Sequence, residues 1–296
     1  MTHSDKDYPL VVACLAAWNG ESFIADTLAS LAAQTYPNLK VLISDDASTD
    51  NTAAICERFA TGDFRFLLFR QPQRLGWVSN VNTLLYAVRS DYFFFVPHDD
   101  VLEPTYVMRL VEKLEKQPNA VLAFSDMEFI DLKGDHEIQA YTDLDGIEHR
   151  IRRGHRMLQR RGPWGIPYRG IFRAAALEQI GGLRTNLAGE FAADWPWLVH
   201  MSLLGEFVRV PEVLYRKIQR EESVSQMWKH AARRYWQRGP WWNPLAATLA
   251  CANEIYRSRL FLVEKMLLHI SLASTFLRWT WHRSWIRLKR IMLRRR

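Results

Sequence analysis

Cysteine is scarce in this chain of 296 residues. Cys14, Cys56 and Cys251 lie far apart and form no CxxC pair. An odd, scattered set excludes a disulfide framework and a cysteine-based zinc site, and it fits a reducing compartment. Long apolar runs are lacking as well. No uncharged apolar stretch reaches the ~18 residues of a spanning helix. The nearest candidate, LFLVEKMLLHISLASTFL over 260–277, is interrupted by Glu264, Lys265 and His269. The opening residues, MTHSDKDYPL, are polar and lack the basic-then-apolar order of a signal peptide. A cytoplasmic location is expected, peripheral on the inner face of the membrane if the tail binds lipid. Acid is almost missing from the C-terminal end: from Arg257 onward there are eleven Lys or Arg against Glu264 alone, +10 in a chain of +7. Residues 1–256 therefore sum to −3, and the basic character belongs to the tail. Internal repeats and low-complexity segments are absent.

What is present is an ordinary core composition, 48% hydrophobic and 24% charged. LVVACLA (10–16), LKVLIS (39–44), FRFLLF (near 65–69), YFFFVP (92–97) and AVLAFS (120–125) read as buried strands. Helical patterns fall at 21–34, up to about residue 60 behind a Ser48 or Thr49 cap, near 79–89, and after Pro104. Strands alternating with amphipathic helices predict an α/β fold with a mostly parallel sheet. Residues 126–165 carry no firm pattern. YRGIFR (168–173) reads as a further strand, Gly181-Gly182 ends a short helix, and ADWPWLVHMSLLG (193–205) reads as a helix opened by Asp194. Beyond Gln226 the composition turns to Trp, Arg and Leu, which sets a boundary between residues 1–226 and a helical region over 227–296.

Two acidic pairs sit where predicted strands end: Asp45-Asp46 after the second and Asp99-Asp100 after the fourth. Ligands of parallel α/β sheets bind beyond the carboxyl ends of the strands, so the pairs are expected to face one crevice. Adjacent like charges need neutralising. A hard divalent cation, Mg²⁺ or Mn²⁺, prefers carboxylate oxygens and shares coordination with phosphates. His98 reads as a structural neighbour rather than a ligand.

At this point LAAWNGESFIADTLASLAAQTYPNLKVLISDDASTDNT resembles the opening of family 2 glycosyltransferases, which have the GT-A fold. RLGWVSNVN, FVPHDDVLEP, ADWPWLVHMSLLG and LYRKIQREESVSQ are similar, in order, to later motifs of that family, over roughly residues 9–226. The resemblance implies an inverting hexosyl- or deoxyhexosyltransferase, moving a sugar from a nucleotide-diphosphate sugar to a hydroxyl acceptor. Ala16, Trp18 and Asn19 would line the nucleoside, with Asp45 and Asn82 nearby. Asp46 would accept a hydrogen bond from a uracil-like base. Asp99 would contact ribose or donor sugar and share a metal with Asp100. Asp194 would be the general base. Arg216, Ser223 and Ser225 would close over the diphosphate. Trp164, Glu190 and Trp195 would face the acceptor. An inverting transfer needs one base for the acceptor hydroxyl and positive charge on the departing diphosphate. The sequence departs from the family pattern at Ala193, where members often carry Glu, and at Ile218 and Gln219, where many carry His.

Alone, Asp194 would read as a helix cap and Glu190 as a solvated acid. The basic loop RRGHRMLQRRGPWG (152–165) faces solvent or a phosphate-bearing lipid acceptor. The tail FLRWTWHRSWIRLKRIMLRRR mixes Trp and Leu with Arg, as helices in an anionic membrane interface do; packing on the domain or on a second copy is the other reading. Nucleic acid is not an expected partner, since no recognised module accompanies the basic residues. By family likeness the acceptor is a bacterial surface polysaccharide or lipid-linked glycan. The rival is a non-catalytic membrane-surface or nucleic-acid-binding protein with a degenerate nucleotide fold. A glycosidase with paired carboxylates would need neither nucleotide nor metal.

Overall fold

The computed structural model describes residues 8–220 and 242–293, with side chains to residue 280. The first apolar runs become β1 (Val11–Ala17), β2 (Leu39–Asp45), β3 (Phe66–Arg70) and β4 (Tyr92–Pro97). They lie parallel in the order β3-β2-β1-β4. Between them run α1 (Ile24–Ala32), α2 (Thr52–Gly62) and α3 (Trp77–Ala87). β1 and β4 are apolar at nearly every position because both faces are covered. The start of α2 differs from expectation: its cap position is Asn51, and Asp50 Oδ1 accepts the Thr52 N–H at 3.0 Å. Neither Ser48 nor Thr49 caps it, because both hydroxyls bond Asn19 instead.

Three residues after the end of β4 the chain re-enters the sheet. β5 (Asp100–Leu102) precedes α4 (Tyr106–Glu115), which is capped at Thr105 rather than opened by Pro104. The unassigned stretch after 126 contains the end of a long β6 (Ala120–Ile130), β7 (His136–Gln139) and α5 (Arg150–Gln159). A 3-10 turn, Ile166–Arg169, leads into β8 (Ile171–Arg173), α6 (Ala174–Ile180), α7 (Asp194–Leu204) and β9 (Glu206–Ile218). The full sheet order is β3-β2-β1-β4-β8-β6-β9-β5, with β7 on β6. β8 runs antiparallel to β4 and β6, β9 parallel to β6, and β5 antiparallel to β9. The sheet is thus mixed, and parallel through the half that ends at the acidic pairs. Gly170 permits the turn into β8, since a Cβ there would lie 2.3 Å from the Ala123 carbonyl oxygen.

The expected 226/227 boundary lies outside the described residues. Past it, α8 (Trp242–Arg257) packs on α7, and α9 (Leu262–Leu293) packs on α5 and α8. Polar groups join this layer to the body, buried at Glu254 and part-exposed at Glu264. Glu254 of α8 accepts from His200 Nδ1 and Arg184 Nη1, both at 2.8 Å. Glu264 of α9 pairs with Arg150 of α5 at 2.8 Å. Among the described residues no helix is long and apolar enough to cross a membrane.

Candidate active site

The parallel register sets Ala16, Ser44 and Pro97 level with one another at the carboxyl edge of β1, β2 and β4, with Ala17 and Asp45 paired one step beyond. Beyond that edge lies a cavity of about 430 Å³, the size of an ordinary small-molecule pocket. Ala16, Trp18, Asp46, Asp99, Trp164, Glu190 and Asp194 line it, seven of the residues the sequence nominated. The left-handed non-glycine residues of the described chain cluster around it. Asn19 (φ 46°) follows Trp18, Ala47 (φ 53°) follows Asp46, Ala192 (φ 52°) precedes Asp194, and Arg160 (φ 48°) stacks on Trp164. Backbone held in such conformations concentrates at functional sites.

Each lining residue has a local job. The Arg74 guanidinium lies 3.4 Å over the Trp18 ring. Asp46 accepts the N–H groups of Leu75 (2.6 Å) and Gly76 (3.0 Å), so it moulds the loop before α3 as well as facing the cavity. Glu190 accepts the Val78 N–H at 2.8 Å, which makes it a cap for α3 supplied from 112 residues away. Gly76 allows that approach: its φ is +88°, and a Cβ would stand 2.7 Å from Glu190 Oε1. His98 stacks on Phe23 and meets the Ala16 carbonyl at 3.1 Å, a packing role.

Asp194 opens α7, where its Oδ1 accepts the Trp195 N–H at 3.0 Å. Burial raises its carboxyl above the usual carboxylate range, and Arg160 and Arg169 pull it back in part. Burial and the charge of Asp100 likewise raise Asp99. The floor is aromatic: Tyr168 stacks on Phe95 at 4.5 Å, and Trp197 meets Phe95 edge-on. The Tyr168 hydroxyl is buried with no hydrogen-bond partner among the described residues.

Other nominated residues are turned elsewhere. Asp45 is buried off the cavity, its Oδ2 near the Ser48 N–H at 3.3 Å. Asn19 clips the loop at Ser48 and Thr49 to the end of β1. Asn82 brackets the backbone of Leu183, while Asn80, two residues earlier and on the other side of α3, lines the cavity and bonds Ser44. Trp195 is buried, its Nε1 donating to Met157. Arg216 points away, paired with Glu128 at 2.6 Å and Glu103 at 3.6 Å. Successive strand residues face opposite sides, so Tyr215 and Lys217 point inward and Lys217 lines the cavity. The Arg169 guanidinium and burial bring its ammonium down to about 8. Ser223 and Ser225 lie outside the described residues.

Asp100 departs furthest from expectation. As the first residue of β5 it is fully buried and absent from the cavity wall. Its Oδ2 accepts from Arg169 Nε at 2.9 Å and from the Tyr215 hydroxyl at 3.0 Å. The metal pair read from the sequence is therefore divided, with Asp99 in the cavity and Asp100 in the sheet. Among the described residues no group of three His, Cys, Asp or Glu could hold a metal ion. Tyr168, Arg169 and Lys217 are the site residues the sequence reading missed. For Lys217 the signal was strand alternation counted from Tyr215.

The family model for glycosyl transferase family 2 matches residues 12–181. An "Uncharacterized glycosyltransferase" of Haemophilus influenzae is 30% identical over 125 residues, 42% of this chain and 39% of that one. Glycosyltransferase GlyA of Streptococcus pneumoniae is 32% identical over 104 residues, 35% of this chain and 15% of that one. The matched segments thus span well under half of these relatives. Among solved structures, S. aureus TarS 1-349 in complex with UDP-GlcNAc superposes with a TM-score of 0.66 at 17% identity, covering 90% of this chain and 72% of that one. The mannosyltransferase PcManGT from Pyrobaculum calidifontis, in complex with GDP-Man and Mn²⁺, gives 0.53 at 16% identity, covering 93% and 84%.

Proposed function

The chain belongs to glycosyl transferase family 2, and from that premise we propose that it transfers a sugar, with inversion, from a nucleotide-diphosphate sugar to a hydroxyl acceptor. The fold is of GT-A type, as in its structural neighbours. One observation carries the reading. Asp194, a carboxylate whose proton affinity is raised by burial, faces the same cavity as the nucleotide-edge residues Ala16, Trp18 and Asp46. A general base works best when its pKa lies towards the working pH.

The donor lies with its base against Trp18 and the Asp46 loop, its diphosphate at the Asp99 end, and its sugar over Tyr168 and Trp164. An acceptor hydroxyl enters beside Asp194. As the hydroxyl oxygen bonds to the anomeric carbon, its proton passes to the Asp194 carboxylate. The bond from that carbon to the diphosphate oxygen breaks, and the configuration inverts. No second carboxylate nucleophile is needed. The nucleotide complexes of TarS and PcManGT support a diphosphate donor; they fix neither the base nor the sugar for this chain. A bacterial surface polysaccharide or lipid-linked glycan is the proposed acceptor.

An anionic membrane surface is the proposed second partner. α9 buries Leu268 and Leu272 but leaves Leu262, Met266, Ile270 and Leu277 more than half exposed on its other side. A helix apolar all round needs cover on both sides. A second copy would bring another +10 segment against this one, whereas acidic lipid headgroups complement it.

The test of the transfer is nucleoside diphosphate release from UDP-, dTDP- and GDP-sugars, with and without a lipid-linked glycan extract. Release is expected from one donor class, dependent on the extract and abolished by Asp194→Asn. Release that survives Asp194→Asn would remove the base assignment.

A further inference from the structure

Family resemblance implies a divalent cation at the paired aspartates, and the residues present do not fit one. Asp100 has its Oδ2 held by two donors, and its Oδ1, though without a hydrogen-bond partner among the described residues, is buried in the sheet with no surface on the cavity. Asp99 is left as the single carboxylate of the pair able to reach a ligand, and two protein cations, Arg169 and Lys217, share its wall. Asp100 and Lys217 are Cα partners across the β5–β9 ladder, so the ammonium is built into the strand opposite the acidic pair. The two negative charges that close β4 are matched by a guanidinium and an ammonium from the same chain. A further +2 ion would meet like charge.

The donors of these two cations are mostly unspent. Arg169 makes one side-chain hydrogen bond with a described residue, through Nε, so its two Nη groups bond none. The Lys217 ammonium makes no hydrogen bond or ion pair with any described residue. A partly buried ammonium and guanidinium with idle N–H groups, facing a cavity, suit a ligand rich in acceptors and negative charge. A diphosphate is such a ligand.

We propose that Lys217 and Arg169 form a diphosphate clamp that neutralises the leaving group in place of a divalent cation, so that nucleoside diphosphate binds this chain without metal. The inference rests on the donor-site reading above. When the sugar leaves, the charge growing on the terminal phosphate oxygen is met by N–H groups already fixed by β9 and the 3-10 turn. Arg169 is further held by its backbone, whose carbonyl accepts from Tyr106.

The experiment is calorimetric titration of UDP, dTDP and GDP into the full chain, each in EDTA and in Mn²⁺, for wild type, Lys217→Ala and Lys217→Arg. One nucleotide is expected to bind in EDTA, with Mn²⁺ changing its affinity less than about threefold. Lys217→Ala should weaken that binding at least about tenfold, as for loss of a charge-assisted hydrogen bond, and Lys217→Arg should restore most of it. All three proteins are expected to unfold cooperatively well above the titration temperature, because Lys217 makes no hydrogen bond or ion pair with any described residue, and Lys217→Arg keeps the charge beside Asp99 and Asp100. Binding that requires Mn²⁺ and is indifferent to Lys217→Ala would overturn the clamp and leave the donor site standing. No binding of any nucleotide in either condition would overturn the donor site, and the clamp with it.

Discussion

The parallel half of the sheet and the C-terminal helical layer are both rich in apolar residues, yet they handle them in opposite ways. In β1 and β4 nearly every side chain is covered, and the polar groups gather at one edge to make a cavity. In α9 one arc is buried against α5 and α8 while the other presents Leu262, Val263, Met266, Leu267, Ile270 and Leu277 to solvent. The first region is complete in itself and looks inward to a ligand. The second leaves that arc uncovered by any described residue. The two regions meet at α7, which begins at Asp194, the proposed base, and carries, nearly two turns on, the His200 that bonds Glu254.

The sharpest break between the regions is expected in chemistry. Asp194→Asn should lower transfer by about 10²–10⁴-fold while leaving nucleotide affinity unchanged, measured by product formation beside calorimetry. The C-terminal layer should contribute nothing comparable to the step itself. Its own large effect is on stability. Glu254→Ala leaves His200 and Arg184 facing an emptied acceptor at a buried junction, a loss of about 3 kcal/mol in urea unfolding. A loss under about 1 kcal/mol would mean the layer is held by packing alone.

Acid should separate the two as well. Against the cost of burial, the bonds from His200 and Arg184 hold Glu254 below the glutamate value of 4.5. A depressed carboxylate contributes stability that is full above that value and lost as the pH falls through the lower folded one. Glu254→Gln should therefore flatten the acid limb of the stability curve. Asp194 is shifted the other way, so the acid limb of transfer should lie above the 3.8 of an ordinary aspartate, a window in which the fold is still intact. A pH–rate profile beside a pH–melting profile checks both. The smallest effect is on the outer arc. Ile270→Ser should move stability by no more than about 0.5 kcal/mol, yet reduce co-sedimentation with phosphatidylglycerol vesicles. Unchanged sedimentation would count against the lipid surface.

Much of the donor half could be read from sequence, because continuous apolar runs mark covered strands and acids at their ends mark a ligand edge. Asp46 and Asp99 were legible for that reason, whereas Asp194, which opens a helix, was nominated by the family resemblance. The errors share a cause, which is direction. Asp99 and Asp100 are adjacent in sequence but part company because a three-residue strand starts between them, too short to show a period. Arg216 and Lys217 differ by one step of strand alternation, and Asn80 and Asn82 by two residues on a helix, which places them on different faces. Tyr168 and Arg169 come from a 3-10 turn in a stretch with no periodicity at all. Trp195 and Asn82 carry the residue types a ligand contact would use, but their polar groups bond the backbone of Met157 and Leu183.

The placement of β9 bears on the order in which the protein becomes competent during synthesis. Among the described residues β5 pairs only with β9, and Asp100 takes its hydrogen bonds from Arg169 and Tyr215. Until about 215 residues have been made, the strand beginning at Asp100 lacks its sheet neighbour, and its carboxylate has Arg169 but not Tyr215. The parallel edge of β1, β2 and β4 is already encoded by residue 97. A nascent chain can thus assemble one wall of the cavity long before the sheet is whole. The last strand added covers β5 and brings Lys217 to the cavity in the same event, so the proposed clamp forms only as the sheet is completed.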